Sequence, residues 1–352
     1  MGSAEVRAGY WGLVWRRFRE RRSALAALSF LGLLAAAALF APLLVGARPI
    51  VCRYRGAWYA PFLEYYAESF RRPVFQTEEF RTDFAAALAR DPESWALWPL
   101  VRADPFRRVP RAAGTPEAEV RAPPSRRHPM GTDDLGVDVF AQLVFGSRTA
   151  LLVGCSSMAI AAALGIALGA AAGYFRGVAD FAISRLIELT LSIPTLVLFL
   201  AFLSVVERPG AAHLVLIIGL TRWDSIARLT RGEFLKLRRA DFVLAARGLG
   251  APWHRIVFSH ILPNAVAPAI VPIAFGVANA ILLESGLSFL GYGVPLSTPS
   301  WGRVLASWGA SYRSWWLAVF PSLAIFASVL TFNLIGDGFR DAIDPRARRP
   351  GR

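Results

Sequence analysis

The sequence predicts an all-α, polytopic membrane protein of six transmembrane helices, interrupted early by a small mixed insert. Three observations carry this. Hydrophobic residues make up 55% of the 352 and charged residues only 18%, with a mean hydropathy of +0.43; that is too apolar for an ordinary soluble domain and too long for one membrane anchor. Apolar runs of membrane length recur along the chain, separated by polar stretches. The arginines behind the formal charge of +14 flank those runs. They do not line one basic face interleaved with aromatics, so the charge reads as positive-inside topology and not as nucleic-acid binding.

Residues 1–22 form a basic, aromatic tail ending in Arg16, Arg17, Arg19, Arg21 and Arg22. The apolar run that follows, residues 23–45, is about 23 residues or roughly 34 Å as a helix, enough to cross a bilayer. A cleaved signal peptide competes for this stretch, but its apolar core would span only about 7–15 residues. An uncleaved first span with the N-terminus in the cytoplasm fits better.

Residues 46–130 break the pattern. A hairpin is expected over 51–59, turning at Arg55-Gly56, and Phe80, Phe84 and Leu88 share a helix face until Asp91-Pro92 ends it. Residues 99–129 are rich in Pro and Arg and predict no regular structure. After one outward crossing this insert lies outside the cytoplasm, since long segments translocate despite their charge. Trp58, Tyr59, Phe62, Tyr65, Tyr66, Trp95 and Trp98 supply more rings than a solvated tether needs, so a small folded cap is preferred to a loose linker.

Residues 131–148 then predict an interfacial helix, with Thr132 and Asp133 as caps and Val139, Phe140, Leu143 and Val144 on its apolar side. Span two, 149–173, carries Gly165 and Gly169 in small-xxx-small spacing for close helix approach. Span three, 181–206, holds Glu188 and a kink at Ser192-Ile193-Pro194. An ionisable group at that depth is costly unless it faces water or a partner. Glu188 therefore either lines a pathway or is buried near the cytoplasmic end, and Pro194 goes with it. Span four is 211–225, span five 265–290 with a second acid, Glu284, and span six 315–335. A C-terminal tail, 336–352, ends in arginines.

Counting crossings places residues 228–264 in the cytoplasm, where seven basic residues from Arg228 to Arg255 obey the charge rule. This polar interlude reads as two short helices with a hinge. Phe242, Ala246, Leu249 and Trp253 recur at i, i+4, i+7 and i+11, while Arg238, Arg239 and Arg247 keep the stretch in water. Gly248 and Gly250 suit a C-terminal cap, and Pro252 suits a new first turn. On its own this could be an ordinary amphipathic loop helix.

Ala245-Ala246, then Gly250, then Leu262-Pro263 resembles the EAA loop of bacterial ABC-importer permeases, although Leu244 stands in place of the glutamate and His260 in place of isoleucine. Four more stretches point the same way. His128-Pro129-Met130-Gly131-Thr132-Asp133-Asp134-Leu135-Gly136-Val137-Asp138 is similar to the signature before span two in dipeptide and oligopeptide permeases, with Val137 replacing an arginine. Leu287-Ser288-Phe289-Leu290-Gly291, Pro299-Ser300-Trp301-Gly302 and Asn333-Leu334-Ile335-Gly336-Asp337 through Arg346 resemble the second permease subunit of peptide/nickel-type importers. Arg53-Tyr54, Gly56, Trp58-Tyr59 and Trp98-Pro99 further resemble the microcin C and oligopeptide branch, with its enlarged outer loop.

The resemblance implies a type I importer permease carrying peptides or peptide-like solutes, with nickel or another small solute as the alternative. It implies a second permease subunit, two ABC ATPases, an extracytoplasmic solute-binding protein and membrane lipid as partners, and no nucleic acid. It assigns ATPase coupling to Asp241, Phe242, Ala245, Ala246, Leu249, Gly250, Leu262 and Pro263; Glu188, Pro194 and Glu284 are the pathway candidates. No Walker-type loop, metal-ligand spacing among His128, His213, His254 and His260, or disulfide framework from Cys52 and Cys155 occurs, so no cofactor, metal or catalytic residue is expected. A membrane enzyme would have to use Glu188 and Glu284, aided by Asp224 or His260.

Overall fold

The computed structural model describes residues 10–106, 120–206, 210–295, 297–309 and 312–343. The chain opens with helices α1 (Tyr10–Glu20) and α2 (Arg22–Leu39) and a single turn, α3 (Ala41–Leu44). The insert follows with β1 (Val51–Tyr54), β2 (Ala57–Tyr59), three 3₁₀ turns, α4 (Glu78–Thr82), α5 (Phe84–Leu88) and β3 (Trp95–Leu97). Then come α6 (Val139–Phe175), α7 (Gly177–Ser192), α8 (Thr195–Val205), α9 (Ala211–Thr221) and α10 (Trp223–Leu237). The polar interlude holds α11 (Asp241–Gly248), α12 (Trp253–Arg255), a π-helical stretch (Ile256–Ile261) and α13 (Leu262–Ala265). The chain continues through a 3₁₀ turn into α14 (Ile270–Phe289), α15 (Trp301–Trp308) and α16 (Trp316–Ile343).

Among the described residues four helices are long and apolar enough to cross a membrane: Arg22–Leu39, Val139–Phe175, Ala267–Phe289 and Trp316–Ile343. A fifth candidate is the pair Gly177–Ser192 and Thr195–Phe202, bent by 86°. The kink expected at Pro194 is thus a near right angle, because proline removes a backbone donor and clashes with the preceding turn. The expected fourth span is shorter than 211–225: α9 has eleven residues, about 16 Å at 1.5 Å per residue. It stops at Arg222, and α10 then presents an amphipathic pattern with Trp223, Ile226, Ala227, Thr230 and Phe234 buried.

Two further boundaries differ from expectation. No separate interfacial helix covers 131–148; α6 starts at Val139 and runs unbroken for 37 residues. Its N-cap is Asp138, whose Oδ1 accepts from the Ala141 N–H at 2.9 Å, not Thr132 or Asp133. Asp133 instead closes a turn, its Oδ1 accepting from the Leu135 and Val137 N–H groups, each at 2.8 Å. The tail expected from residue 336 is helical to Ile343 within α16, since Ile335 and Ala342 are buried against α1. Residues 344–352, including the end of the Asp-Pro-Arg motif, and part of the turn at 207–210 lie outside the described residues.

The chain divides into two units. The first comprises residues 1–32, 151–295 and 325–352. Here α6 and α10 pack at backbone distance. A Cβ on Gly165 would lie 2.7 Å from the Trp223 carbonyl oxygen, and Gly169 and Gly173 meet Thr230 and Phe234 in the same way. The small-xxx-small pattern therefore extends one step further than Gly165 and Gly169. Arg231 on α10 forks onto the Asp180 carboxylate of α7, with Nη2 to Oδ2 at 3.1 Å. At the other end of this unit Val14 and Phe18 of α1 pack with Ala24, Ala27, Ile335 and Ala342, and Arg21 pairs with Asp341.

The second unit comprises residues 33–150 and 296–324. The insert folds around its own core. Its strands form an antiparallel sheet in the order β2-β1-β3, and Cys52, Tyr54, Phe75, Phe80, Phe84, Ala87 and Leu88 are buried beneath it. The expected hairpin is present, turning through Arg55 (φ 48°) and Gly56 (φ 78°) as a primed turn does. The expected helix over Phe80, Phe84 and Leu88 is broken at Asp83, which caps α5 through its Oδ1 and the Ala86 N–H at 3.0 Å.

The segment before α6 is latched in place. His128 Nδ1 lies 2.9 Å from Asp138 Oδ2, and the Trp316 indole donates to the Thr132 carbonyl at 3.0 Å. Trp301 of the Pro-Ser-Trp-Gly stretch donates to the Leu143 carbonyl at 2.9 Å, and Thr149 donates to the Pro299 carbonyl at 2.8 Å. The recognisable motifs around His128 and Pro299 are thus packing and capping devices that fix the start of α6.

Candidate functional site

The polar interlude is built on α10. Its last turn ends at Leu237, Arg238 donates to the Tyr174 carbonyl at 2.9 Å, and the chain reverses through Ala240 into α11. One α11 side chain is fully buried: Val243, which packs with Phe234, Ile256, Val257, Ile261 and Ala265. Around it Asp241, Phe242, Leu244, Ala245, Arg247 and Leu249 are exposed, and Ala246 is half-buried. Phe242 and Leu244 are roughly half exposed; Leu249 is 89% exposed. Leaving a leucine that open costs apolar hydration that a partner surface would relieve.

The end of α11 is fixed by its cap. Gly250 sits at φ +80°, its N–H donates to the Arg247 carbonyl at 3.0 Å, and the Ala251 N–H donates to the Ala246 carbonyl at 3.1 Å. That is the pair of bonds of a Schellman cap, and the left-handed residue at its centre favours glycine. Pro252 then serves as the N-cap of α12, one position before the first turn. The elbow between α11 and α12 is therefore held by backbone geometry and is not a loose tether.

Beyond it Trp253 is 52% exposed and tilts against Phe175 with ring centroids 5.6 Å apart. Trp253, Val257, Phe258 and Leu262 face the alanine-rich side of α6 across a nearly apolar cavity of about 340 Å³. Leu262 is half-buried and Pro263 exposed at the first turn of α13. Of the stripe expected from sequence, Phe242, Leu249 and Trp253 are exposed, and the burial falls on Val243 instead. The periodicity was legible, but the anchoring face depends on Phe234, Ile256 and Ile261 arriving from neighbouring elements. The π stretch had no sequence signal of its own.

The pathway candidates separate. Glu188 is exposed on α7 and pairs with Arg185 one turn away. Pro194 is exposed at the sharp bend before α8. Glu284 is buried in α14, where the Ser288 hydroxyl donates to its Oε1 at 2.8 Å. Asp224 is buried at the start of α10 and His260 is half-buried in the π stretch. No group of three or more His, Cys, Asp or Glu able to hold a metal occurs among the described residues.

Comparison with known proteins decides the class. The family model described as the binding-protein-dependent transport system inner membrane component matches residues 165–349, just over half of the chain. The chain belongs to that family. A second model, the N-terminal TM domain of oligopeptide transport permease C, matches residues 9–55. The inner membrane ABC transporter permease protein YejE of Escherichia coli is 33% identical over 334 residues, covering 94% of this chain and 96% of that protein. The dipeptide transport system permease protein DppC of Alkalihalophilus pseudofirmus is 38% identical over 226 residues, covering 64% of this chain and 74% of that one. A putative peptide permease of Brucella suis is 41% identical over 227 residues, with 64% and 75% covered. Among solved structures, an inward-facing MetNI methionine ABC transporter aligns with 57% of this chain and 96% of that one, at TM-score 0.48 and 16% identity. As a member of the binding-protein-dependent family, the chain is a transmembrane permease subunit of an ABC importer and a multi-pass inner-membrane protein.

Proposed function

We propose that this permease subunit forms half of the translocation pathway for peptides or peptide-like solutes, with a second permease subunit forming the other half. ATP hydrolysis comes from two separate ATPase subunits, and cargo is delivered by an extracytoplasmic solute-binding protein. Both termini and residues 228–264 face the cytoplasm, while residues 46–130 face outward. The cargo class rests on the relatives that are named as peptide and dipeptide permeases. The narrower microcin C reading rests only on the motifs of the insert.

The observation that carries the coupling reading is the elbow of α11. A short helix pinned by one buried valine and a glycine cap presents Phe242, Leu244 and Leu249 to solvent, next to Asp241 and Arg247. Closure of an ATPase dimer moves whatever is docked on it, and a rigid knob transmits that movement where a tether would absorb it. In this reading Asp241, Phe242, Ala245, Ala246, Leu249 and Gly250 form the contact. Leu262 and Pro263 belong to the same coupling set, and Glu188, Pro194 and Glu284 are candidates for the moving pathway walls.

Cysteine cross-linking tests it. A cysteine at Leu249 in the assembled complex should form a short-range cross-link to the ATPase that weakens or strengthens with nucleotide. Failure to cross-link in any nucleotide state, or labelling of that cysteine by an impermeant reagent from outside the cell, removes the reading.

A further inference from the structure

The insert carries a surface that the permease reading leaves unused. In β1 the side chains of Cys52 and Tyr54 enter the insert's own core, so Arg53 between them points to the opposite face. The register places Trp58 of β2 directly across from Arg53 on one side and Trp95 of β3 directly across on the other. Val51 and Leu97 form the next pair on that same face. The two indoles reach over the middle strand and meet edge-on, with centroids 6.0 Å apart. Trp58 is 64% exposed and Trp95 51%. Arg53 is also exposed, and beyond the backbone pairing of β1 its side chain makes no hydrogen bond or ion pair among the described residues.

We propose that this tryptophan–arginine–tryptophan ladder is the docking surface for the solute-binding protein, whose complementary face carries an apolar recess for the indoles and a carboxylate for Arg53. The inference rests on residues 46–130 facing outward. Three features favour this occupant. Tryptophan and arginine are the side chains most enriched where protein contacts concentrate their energy. The ladder is fixed by cross-strand pairing and sits on a packed core, so binding orders little. The family's description as binding-protein-dependent requires an external protein to touch some part of an inner-membrane subunit.

The test uses the whole complex in lipid nanodiscs and its own purified solute-binding protein. Trp58→Ala with Trp95→Ala should weaken binding by at least about thirtyfold, the loss typical of a hot-spot pair. It should abolish binding-protein-stimulated ATPase activity while leaving the basal rate unchanged. Arg53→Glu should weaken binding, and Arg53→Lys should recover part of it. None of the three side chains belongs to the insert's buried core, so their replacement leaves that core's packing in place. Unchanged affinity in the double variant overturns the proposal. So does a loss of brominated-lipid quenching in the double variant relative to the parent, which would put the indoles in the outer leaflet. A Trp95→Cys variant separates the two levels of the argument. Failure of an impermeant maleimide to label it from outside refutes the topology, whereas labelling combined with unchanged affinity refutes only the docking surface.

Discussion

Two residues six apart on the elbow make opposite predictions. Val243 is fully buried among Phe234, Ile256, Val257, Ile261 and Ala265, whereas Leu249 is 89% exposed. Val243→Ala deletes two methyl groups from a closed site. At about 0.8 kcal/mol per methylene plus a cavity term, it should cost about 2–3 kcal/mol and loosen the elbow from α10. Leu249→Ala deletes a side chain that touches little in the free subunit, so the stability of the permease pair should not change. If the leucine is buried against an ATPase, the loss is about 2 kcal/mol, or about thirtyfold in affinity. Thermal melts of the permease pair without ATPases, set beside ATPase affinity in nanodiscs, separate the two. A drop in melting temperature for Leu249→Ala, or an unaltered ATPase affinity, would refute the division of the helix into an anchoring face and a docking face.

Gly250→Pro removes the N–H that bonds Arg247 and cannot adopt φ +80°; transport should uncouple from ATP turnover while the protein remains in the membrane, as read by uptake and hydrolysis in the same proteoliposomes. Gly165→Val drives a branched side chain into the Trp223 carbonyl and Ile226; overpacking there should cost about 2–3 kcal/mol and lower the melting temperature. Burial pushes the Asp133 carboxyl up, against hydrogen bonds from Val137, Leu135 and Gln142 that pull it down. The folded state therefore holds that proton longer than the unfolded one, so its contribution is complete below the ordinary carboxylate range and is lost as pH rises through the raised folded value. Asp133→Asn should abolish the fall in melting temperature that this carboxyl contributes as pH rises above the ordinary carboxylate range, read from a melt-versus-pH series. Burial likewise raises the Cys52 thiol to about 11, so iodoacetamide at mild alkaline pH should modify it only once the insert unfolds, followed by mass spectrometry.

Much of this architecture was readable because membrane helices announce themselves in the local composition. The bend at Pro194, the hairpin at Arg55-Gly56 and the helix from Asp241 all follow from residues within a few positions of each other. What escaped depends on distant partners. Strand β3 is three residues, Trp95 to Leu97, and becomes a strand only by pairing with β1. Asp133 and Asp138 both precede the same apolar run, and which one caps α6 is decided by the turn that Asp133 closes on Val137. On the elbow the spacing revealed an apolar stripe, yet the choice of Val243 over Phe242 as the anchor was made by α10 and the π stretch, about which a local period carries no information. Glu188 and Glu284 looked equivalent as lone acids in apolar runs, and only the arrangement of Arg185 and Ser288 distinguishes an exposed pair from a buried acceptor.

The winding between Ile256 and Ile261 has a geometric corollary. A π turn stores one residue more than an α turn does, and each residue in an α-helix corresponds to a rotation of about 100° about the axis. Rewinding those six residues by a single step would swing everything on the α11 side relative to α13 through that angle, with no break in the rod. The slack sits between the exposed knob and α14, where a small axial push can come out as a twist.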